Sequence, residues 1–588
     1  MRKFLSLLLA LVMVLCCIPA VAETADGVYE GTGAGLNGAI NVSVTVSGGK
    51  ITEVKVLEHS ETAGISDPAI EKIPAAIVEA QSADVDIVSG ATFTSKGIIE
   101  AVKNALNPDE AKEATMPFEQ ADVLVIGAGM AGLATAARAA ELGLNVLVVD
   151  QAATYGGSAN VAGGTLLGAG TRMQKEAGIE DDPDLCFADF VRLGGAGTFN
   201  EEIAREFAEI SGEAVDWLDD LGTDFGDRVP YFGVYQPLNV ARNYSGKGGA
   251  RAFVVSLYAE LEKYFSTNAY MMLNTYVTGL VTNDEGAVIG AKARLADGTE
   301  TTLLAPATVV CTGGYGGSEE LLNKYNFENV LSTSPACVTG DGYAWLEELG
   351  APLTNMDFCT AYAGGIPTSD DFRSFGYFNA TNGALWINTN GERMANETGA
   401  DSHVKSETWA NAPHNIVYTV FSSEMLIPDA KVFSTGAWGS VKEEFDPYVE
   451  SLIEKGLAWK ADTIEELAEK VGLPVDAFKA TIAAYNDGCA NGNDPFGRTK
   501  QEVAMANGPF YAVKTVPYVM ITCGGPMMTK DCEVLNSDGL VIEGVYMAGE
   551  IVGMANVGGR NSIGGMGHGN CLVWGKKAAE VIAAKLGK

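Results

Sequence analysis

The chain has 588 residues, of which 47% are hydrophobic and 19% are charged, and its formal net charge is −36 at pH 7. A chain of this length suggests several domains rather than one. The acidic excess repels nucleic acid and anionic membrane surfaces, so we expect no nucleic-acid partner.

The first residues carry the pattern of an export signal. Two basic residues precede an apolar run over about 4–18, and Ala20-Val-Ala22 is a small-x-small cleavage site. A lipoprotein signal would use Cys16 or Cys17, but the preceding Leu15 is bulky where such sites need a small residue. We therefore predict a signal peptide over 1–22 and an exported protein, placed at the cell surface, in the periplasm or outside the cell.

The cysteines and histidines show no metal-ligand spacing. The cysteines beyond the leader are scattered without a C-x-x-C pair, and the four histidines are isolated from one another. We therefore predict no metal site. A G-x-S-x-G nucleophile elbow is also absent, which disfavours a hydrolase.

Residues 23–107 are predicted to form a small α+β unit. Apolar and polar residues alternate over 40–46 and 51–56 on either side of Ser47-Gly-Gly-Lys50, which predicts a β-hairpin. Helical stretches follow near 68–81 and 95–106. A polar segment over 108–120 predicts a linker to the next domain.

The segment Asp86-Ile-Val-Ser89-Gly-Ala-Thr92 resembles the motif of exported FMN-binding domains. The resemblance implies that FMN is attached to Thr92 through a phosphoester bond made by a separate flavin transferase. Gly90 and Ala91, after Ser89, leave room for the incoming phosphate, and the following helix start offers N–H groups to it. The alternative is an ordinary helix start capped by Thr94 or Ser95.

A second phosphate-binding pattern begins at the buried strand Asp122-Val-Leu-Val-Ile126. Glycines 127, 129 and 132 enclose Met130 and Ala131 at a strand–turn–helix junction, where a dinucleotide places its pyrophosphate. Asp150, followed by Gln151, closes the next strand and is placed to accept hydrogen bonds from ribose hydroxyls. The alternative is a plain turn between strand and helix.

From residue 121 to the C-terminus the chain resembles the fumarate reductase/flavocytochrome c flavoproteins, which include urocanate reductases. The resemblance implies FAD bound along several further segments. These contain Gly156, Gly157, Ser158, Gly163, Gly164, Thr312, Gly313, Gly314, Asp341, Gly549, Glu550, Ser562, Ile563 and Gly564. The helix after Gly564-Gly565 would point its N-terminus at the flavin and stabilise negative charge there.

The resemblance also implies the domain organisation and the fold class. We expect an α/β fold in which a Rossmann-like FAD-binding domain, over 121–355 and 506–588, contains an inserted α+β cap domain over 356–505. The small FMN-binding unit precedes it. Electrons would pass from a membrane or extracellular donor to FMN, then to FAD, and finally to a small-molecule acceptor.

The substrate residues of the family are largely replaced. Its proton-donating arginine falls at Asp401, its relay acid and relay arginine at Tyr377 and Ala380, and its substrate-binding threonine at Gly376. Its histidines fall at Tyr362 and Ile521, and Arg560 is a counterpart of its last arginine two residues out of register. A fumarate-like dianion needs several cations to offset its desolvation, so we expect a different acceptor.

Tyrosines replace several of the lost cations. We predict that FAD passes a hydride to an activated C=C bond, that Tyr377 or Tyr362 donates the proton, and that Arg560 polarises the acceptor. Asp401 could form a relay with His403, or lie in a solvated loop, and the tyrosines could be packing residues. Two other functions stay open: a dehydrogenase resembling the ketosteroid dehydrogenases, or an electron carrier with a vestigial substrate site.

Overall fold

The computed structural model divides the chain into two compact units, residues 1–115 with 152–154 and residues 116–151 with 155–588. The division after Thr115 falls inside the predicted linker. The predicted leader lies outside the described residues. The residues described are 25–34, 39–59, 66–88, 91–106, 116–232, 238–325, 328–377, 383–398, 407–427, 431–434, 441–498 and 503–588.

In the smaller unit, helices Asp67–Ala80 and Thr92–Leu106 accompany an antiparallel sheet. Its described strands, in spatial order, are Gly27–Ala34, Ala39–Ser47 and Lys50–Glu58. Gly48 and Gly49 both have positive φ, 61° and 69°, as a tight hairpin turn requires. The predicted hairpin and the predicted helices are confirmed.

The larger unit is built on a mostly parallel sheet. Its described strands, in spatial order, are Glu533–Leu535, Val541–Met547, Ala307–Val310, Val123–Ile126, Val146–Val149 and Ala269–Met272, and only the first pair is antiparallel. The three central strands are buried along their whole length, as expected when both faces of a parallel sheet are covered. Helix Met130–Glu141 packs against helix Met566–Lys585. The predicted α/β fold is confirmed for this part.

A second sheet forms the inserted region. Its described strands are Leu331–Ser332, Cys359–Ile366, Gly376–Tyr377, Leu385–Asn388, Val417–Ser422, Lys431–Ser434, Val441–Glu444, Ala458–Ala461 and Phe510–Thr522. Helices Phe445–Glu454, Ile464–Val471 and Val475–Asn491 complete the region. Phe510–Thr522 is the longest strand and pairs with four others, so the sheet extends beyond the predicted end of the cap at 505.

The remaining elements surround these sheets. A small antiparallel sheet contains Tyr276–Thr282, Val288–Arg294 and Glu300–Leu304, and two-stranded ladders join Thr165–Leu167 to Asn243–Ser245 and Leu353–Thr354 to Gly525–Pro526. The other helices are Arg172–Glu176, Pro183–Gly194, Glu201–Asp220, Arg251–Glu262, Glu319–Tyr325, Asp341–Glu348 and Met554–Gly558. Short 3-10 turns span Gly157–Asn160, Pro413–Asn415, Ser423–Met425 and Glu550–Val552.

Within the described ranges, no helix combines the length and the apolarity needed to cross a bilayer. The cysteines from Cys186 to Cys571, all of which the structure describes, are free thiols. No group of three or more metal-ligating side chains comes together in the described part of the chain.

Candidate functional site

The glycine turn after strand Val123–Ile126 opens a space at the start of helix Met130–Glu141. A Cβ on Gly127, whose φ is 111°, would lie 2.3 Å from the carbonyl oxygen of Cys311, and a Cβ on Gly132 would lie 1.7 Å from that of Gly127. A Cβ on Gly129 would meet no atom of the described chain within 4 Å. The outer glycines therefore allow close backbone packing, whereas Gly129 faces the open space where a phosphate would bind.

Asp150 stabilises this turn. Its Oδ2 accepts a hydrogen bond of 2.6 Å from the N–H of Ala128, between the first two glycines. The neighbouring Gln151 donates to the carbonyl oxygen of Cys337 at 2.8 Å. The position of Asp150 fits a group that holds the turn beside a nucleotide, and its bond to the ribose stays a prediction.

A second glycine segment lies against the turn. The N–H of Gly156 donates to the carbonyl oxygen of Ala128 at 2.8 Å, and a Cβ on Gly157 would lie 3.3 Å from Cα of Gly129. Ser158 follows in the 3-10 turn. Further along, Gly164 packs against the backbone of Ala250, and Gly163 has open space beside it. Gly156 and Gly157 therefore lie directly against the turn that contains Gly129.

A third group of predicted residues follows strand Ala307–Val310. The hydroxyl of Thr312 is buried and has no hydrogen-bond partner among the described residues. Gly313 has a positive φ of 77°. The structure packs Gly314 so closely that a Cβ there would lie 2.0 Å from Oγ1 of Thr522 and 2.2 Å from Oε1 of Glu550. A buried hydroxyl without a partner fits a site that a polar ligand completes.

Glu550 and Asp341 contribute carboxylates to this side of the unit. Oε1 of Glu550 accepts hydrogen bonds from the backbone N–H and the hydroxyl of Thr522, at 2.9 and 2.7 Å. Burial raises the pKa of Glu550 above its ordinary value. Oδ2 of Asp341 accepts from Thr339 and Tyr276, at 2.8 and 3.2 Å. Gly549, directly before Glu550, has a positive φ of 93°, a backbone conformation that favours glycine.

The start of helix Met566–Lys585 is held in place from two sides. The buried side chain of Asn243 donates to the carbonyl oxygen of Gly564 at 2.7 Å. Nδ1 of His568 lies 2.8 Å from the carbonyl oxygen of Thr165, so this nitrogen carries the proton and donates. Burial lowers the pKa of His568, which keeps the ring neutral. The positive end of the helix dipole therefore faces the site without a charged histidine.

The inserted sheet reaches this helix start. The hydroxyl of Thr360 lies 3.0 Å from that of Ser562, which precedes the buried Ile563. Cδ1 of Ile521 lies 3.2 Å from the position a Cβ on Gly567 would take. An isoleucine thus covers the first turn where the family resemblance places a histidine.

Aromatic side chains lie further along the same two paired strands, Cys359–Ile366 and Phe510–Thr522. Tyr362 lies opposite Tyr518 in the strand register, and their rings stack at 5.6 Å between centroids. Phe375 lies 5.2 Å from the ring of Tyr518. Tyr362 packs against the cluster of Leu331, Phe375, Val516 and Tyr518, and the strand register shifts between Thr360 and Ala361. The proton-donating role of Tyr362 stays a prediction.

Arg560 is engaged by a residue that the sequence did not single out. Its two terminal nitrogens pair with the two carboxylate oxygens of Asp357 at 2.7 and 3.0 Å. The guanidinium also stacks over Phe358, 5.1 Å from the ring centroid. The predicted contact of Arg560 with an acceptor would have to displace or share this carboxylate. Asp357 and Arg560 are 203 residues apart and belong to no common motif, so sequence offered no signal for the pair.

For most of the other residues that were predicted to contact the acceptor, the structure describes only the backbone or nothing. Asp401, His403 and Ala380 lie outside the described residues. Tyr377 is described as strand backbone, paired with Gly365 and Phe433. A Cβ on Gly376 would lie 2.0 Å from the hydroxyl of Tyr448, so the threonine of the family does not fit here.

In the smaller unit, Ser89 and Gly90 of the FMN motif and the side chain of Thr92 lie outside the described residues. Ser95 joins both sides of the motif, because its hydroxyl accepts from the N–H of Val88 at 3.0 Å and donates to the carbonyl oxygen of Ala91 at 2.8 Å. The helix begins at Thr92, before Ser95. Ser95 therefore lies inside the first turn of the helix and is not the alternative helix cap.

Comparison with known proteins finds two family matches along the chain. An FMN-binding domain matches residues 35–107, and an FAD binding domain matches residues 122–567. The chain is 28% identical to a urocanate reductase of Eggerthella lenta, over 95% of this chain and 92% of the relative. It is also 28% identical to an NADH:acrylate oxidoreductase of Vibrio harveyi, over 94% of this chain, but it spans only 61% of that relative.

Solved structures share the fold. A flavocytochrome c3 fumarate reductase in its open conformation has a TM-score of 0.60 at 26% identity, covering 85% of this chain and 84% of the other. A 3-ketosteroid Δ1-dehydrogenase from Sterolibacterium denitrificans has a TM-score of 0.64 at 19% identity, covering 80% of this chain and 100% of the other, which shows the fold alone. Because the FAD match covers more than half of the sequence, the chain belongs to the FAD binding domain family of flavin-dependent oxidoreductases, with an FMN-binding domain preceding it.

Proposed function

We propose that the chain is an exported oxidoreductase that passes electrons from covalently bound FMN to FAD and reduces an activated C=C bond of a small organic acceptor other than fumarate. The relatives named urocanate reductase and NADH:acrylate oxidoreductase support the reaction class, and the FMN-binding match supports the two-flavin layout. The electrons would come from a membrane or extracellular donor. A flavin transferase would attach the FMN to Thr92.

The apolar wall at the start of helix Met566–Lys585 carries this proposal. Ile521 lies against the first turn, and the stacked rings of Tyr362 and Tyr518 continue the same strand pair. Bringing a dianion to such a wall would cost desolvation energy, and the described cations Arg373 and Arg560 are each already paired with an aspartate. The wall instead favours a neutral or singly charged acceptor with a flat conjugated group.

The residues of the site support reduction in distinct ways. Bound FAD supplies the hydride chemistry. The first-turn N–H groups of the helix stabilise negative charge that develops beside them. His568 fixes this turn through Thr165 while remaining neutral. Tyr362 would donate a proton to the acceptor through its phenol.

A dehydrogenase that works in the opposite direction is the second candidate. The paired rings of Tyr362 and Tyr518 favour it, because tyrosines also serve in enzymes resembling the ketosteroid dehydrogenases. The direction of the reaction is decided by whether the flavin-loaded protein reduces or oxidises the organic molecule.

The test uses the mature chain co-expressed with a flavin transferase and reduced without oxygen. Reduced protein is mixed with acrylate, urocanate, cinnamates, enones and fumarate, and flavin re-oxidation is followed by absorbance. We expect at least one non-fumarate acceptor to re-oxidise both flavins at about 1–10³ per second, the ordinary range of enzyme turnover. Re-oxidation by fumarate at such a rate would contradict the proposed acceptor class. Re-oxidation by protein partners alone would indicate an electron carrier.

A further inference from the structure

The ion pair between Asp357 and Arg560 engages a cation six residues before helix Met566–Lys585, whose first turn touches Ile521 of the proposed acceptor wall. Both terminal nitrogens of the guanidinium are used, one on each carboxylate oxygen. The two-point geometry matches the way in which arginine binds any carboxylate, including that of a substrate. A carboxylate acceptor therefore has to compete with Asp357 for the same donors.

The surroundings of Arg560 add to this competition. Glu407, from the inserted region, acts on the same guanidinium, and Asp357 and Glu407 together hold the pKa of Arg560 above its ordinary value. The hydrogen bond from Arg560 lowers the pKa of Asp357, so this carboxylate is charged at neutral pH. An approaching anion thus meets a guanidinium that Asp357 has already neutralised.

The pair is exposed enough to be exchanged. The side chains of Arg560 and Asp357 are 42% and 66% exposed. Exposed ion pairs contribute little to folding, so the loss of Asp357 should not unfold the protein. Phe358 stacks on the guanidinium independently of the carboxylate and would keep Arg560 in place without Asp357.

We propose that Asp357 is a specificity-determining residue that binds both terminal nitrogens of Arg560. It thereby selects acceptors whose activating group is uncharged, such as an amide or a ketone, over acceptors with a carboxylate. The inference rests on the proposed function and names the charge class of its acceptor. Arg560 then presents its remaining N–H groups to a carbonyl oxygen.

The test compares acrylate with its neutral isostere acrylamide as acceptors for the reduced two-flavin protein. In Asp357→Asn, we expect the KM for acrylate to fall about fivefold while that for acrylamide changes less than about twofold, because only the anion competes with the removed charge. Adding Arg560→Gln to this variant should abolish the gain for acrylate. Equal changes for the two acceptors, or no change for acrylate, would overturn the inference.

Asp184→Asn is the matched control. Asp184 pairs with Arg205 at 2.8 Å, and Arg205 also stacks over an aromatic ring, that of Phe187. This variant removes the same charge from an exposed aspartate–arginine pair that joins helices Pro183–Gly194 and Glu201–Asp220 through one hydrogen bond. A fall in the acrylate KM equal to that of Asp357→Asn would show a general charge effect and overturn the inference.

A binding measurement separates this inference from the proposed reaction. Propionate, the saturated analogue of acrylate, is titrated into the oxidised holoprotein by calorimetry, which requires no turnover. Tighter propionate binding by Asp357→Asn than by the wild type and Asp184→Asn supports the inference even if no C=C acceptor is reduced. Unchanged propionate binding overturns it even if the proposed reaction is found.

Discussion

Gly129 and Gly132 belong to one motif but have opposite surroundings. A methyl group on Gly132 would overlap the carbonyl oxygen of Gly127, whereas one on Gly129 would enter open space. Gly129 also has an ordinary φ of −71°, which alanine adopts without strain. The first substitution should therefore act on folding and the second on the ligand.

We expect Gly129→Ala to keep the thermal stability of the FAD-free protein and to weaken FAD binding by about tenfold or more, since phosphate binding needs close approach to the backbone. Gly132→Ala should lower the unfolding temperature of the same FAD-free protein, because close packing tolerates added volume poorly. FAD affinity is measured by fluorescence titration and stability by circular dichroism. Wild-type FAD affinity in Gly129→Ala would contradict the assignment of the open space.

Tyr362 and Tyr518 allow the proton-donor hypothesis to be tested within one ring pair. We expect Tyr362→Phe to lower kcat by about 10²–10⁴, the usual contribution of a positioned acid, with little effect on FAD content. Tyr518→Phe keeps the stacked ring and should retain most of the activity. Rapid-mixing absorbance measures both rates. Equal rates in the two variants would leave Tyr362 as a packing residue.

At the level of elements, the start of helix Met566–Lys585 depends on the strand Asn243–Ser245. The buried Asn243 amide is bonded to the carbonyl oxygen of Gly564, and the preceding Arg242 is fixed by Asp181 and Asp189 at 2.7 and 2.6 Å. These ion pairs are fully buried. The helix start is thus anchored through a neighbouring strand as well as by its own His568.

We expect Asn243→Ala to destabilise the protein by about 1–3 kcal/mol, the cost of leaving a buried carbonyl unsatisfied, and to weaken FAD binding as well. Urea unfolding and FAD titration measure the two effects. Asn268→Ala is the control, because Asn268 also holds backbone carbonyls, those of Ala140 and Leu144, away from this helix start. Equal loss of FAD affinity in both variants would contradict a specific role for Asn243.

Local patterns predicted several elements correctly. The strand, turn and helix around Gly127–Gly132 follow from neighbouring residues, as does the hairpin at Gly48 and Gly49. Strand Gly27–Ala34 was not predicted, because its Gly31 and Gly33 look unlike strand residues. The structure explains them: a Cβ at either would lie 2.2 or 2.1 Å from a carbonyl oxygen of helix Thr92–Leu106. Such a requirement depends on the partner helix and is invisible in the strand's own sequence.

In the candidate site, too, local motifs could be predicted from the sequence but contacts between distant segments could not. The glycines predicted to bind flavin stand in motifs that are continuous in sequence. The contacts of Thr360 with Ser562 and of Asp357 with Arg560 join segments more than 200 residues apart. Only the folded sheet brings these pairs together, so the sequence predicted Arg560 as a substrate residue without its carboxylate partner.

At the level of the whole molecule, the proposed electron route needs FMN to be held in the small domain, which we propose occurs at Thr92. We expect Thr92→Ala to keep its FAD and to lose the covalent FMN, and electron delivery from a membrane or extracellular donor should fall while direct chemical reduction of FAD persists. Flavin content is measured after denaturation and by reduction kinetics. Thr52→Ala, an exposed threonine of the same unit, is the control. FMN that stays attached to denatured Thr92→Ala would rule out the proposed linkage.

The strand Phe510–Thr522 has a mechanical consequence for this molecule. At one end it pairs with Val417–Ser422 and Ala458–Ala461 in the inserted sheet. At the other end, the hydroxyl of Thr522 donates a hydrogen bond to Glu550. Within this strand of 13 residues, the register against Cys359–Ile366 shifts at two places, and such irregularities bend a strand. A movement that admits an acceptor would bend the strand there, and it would carry the outer strands while Thr522 stays fixed.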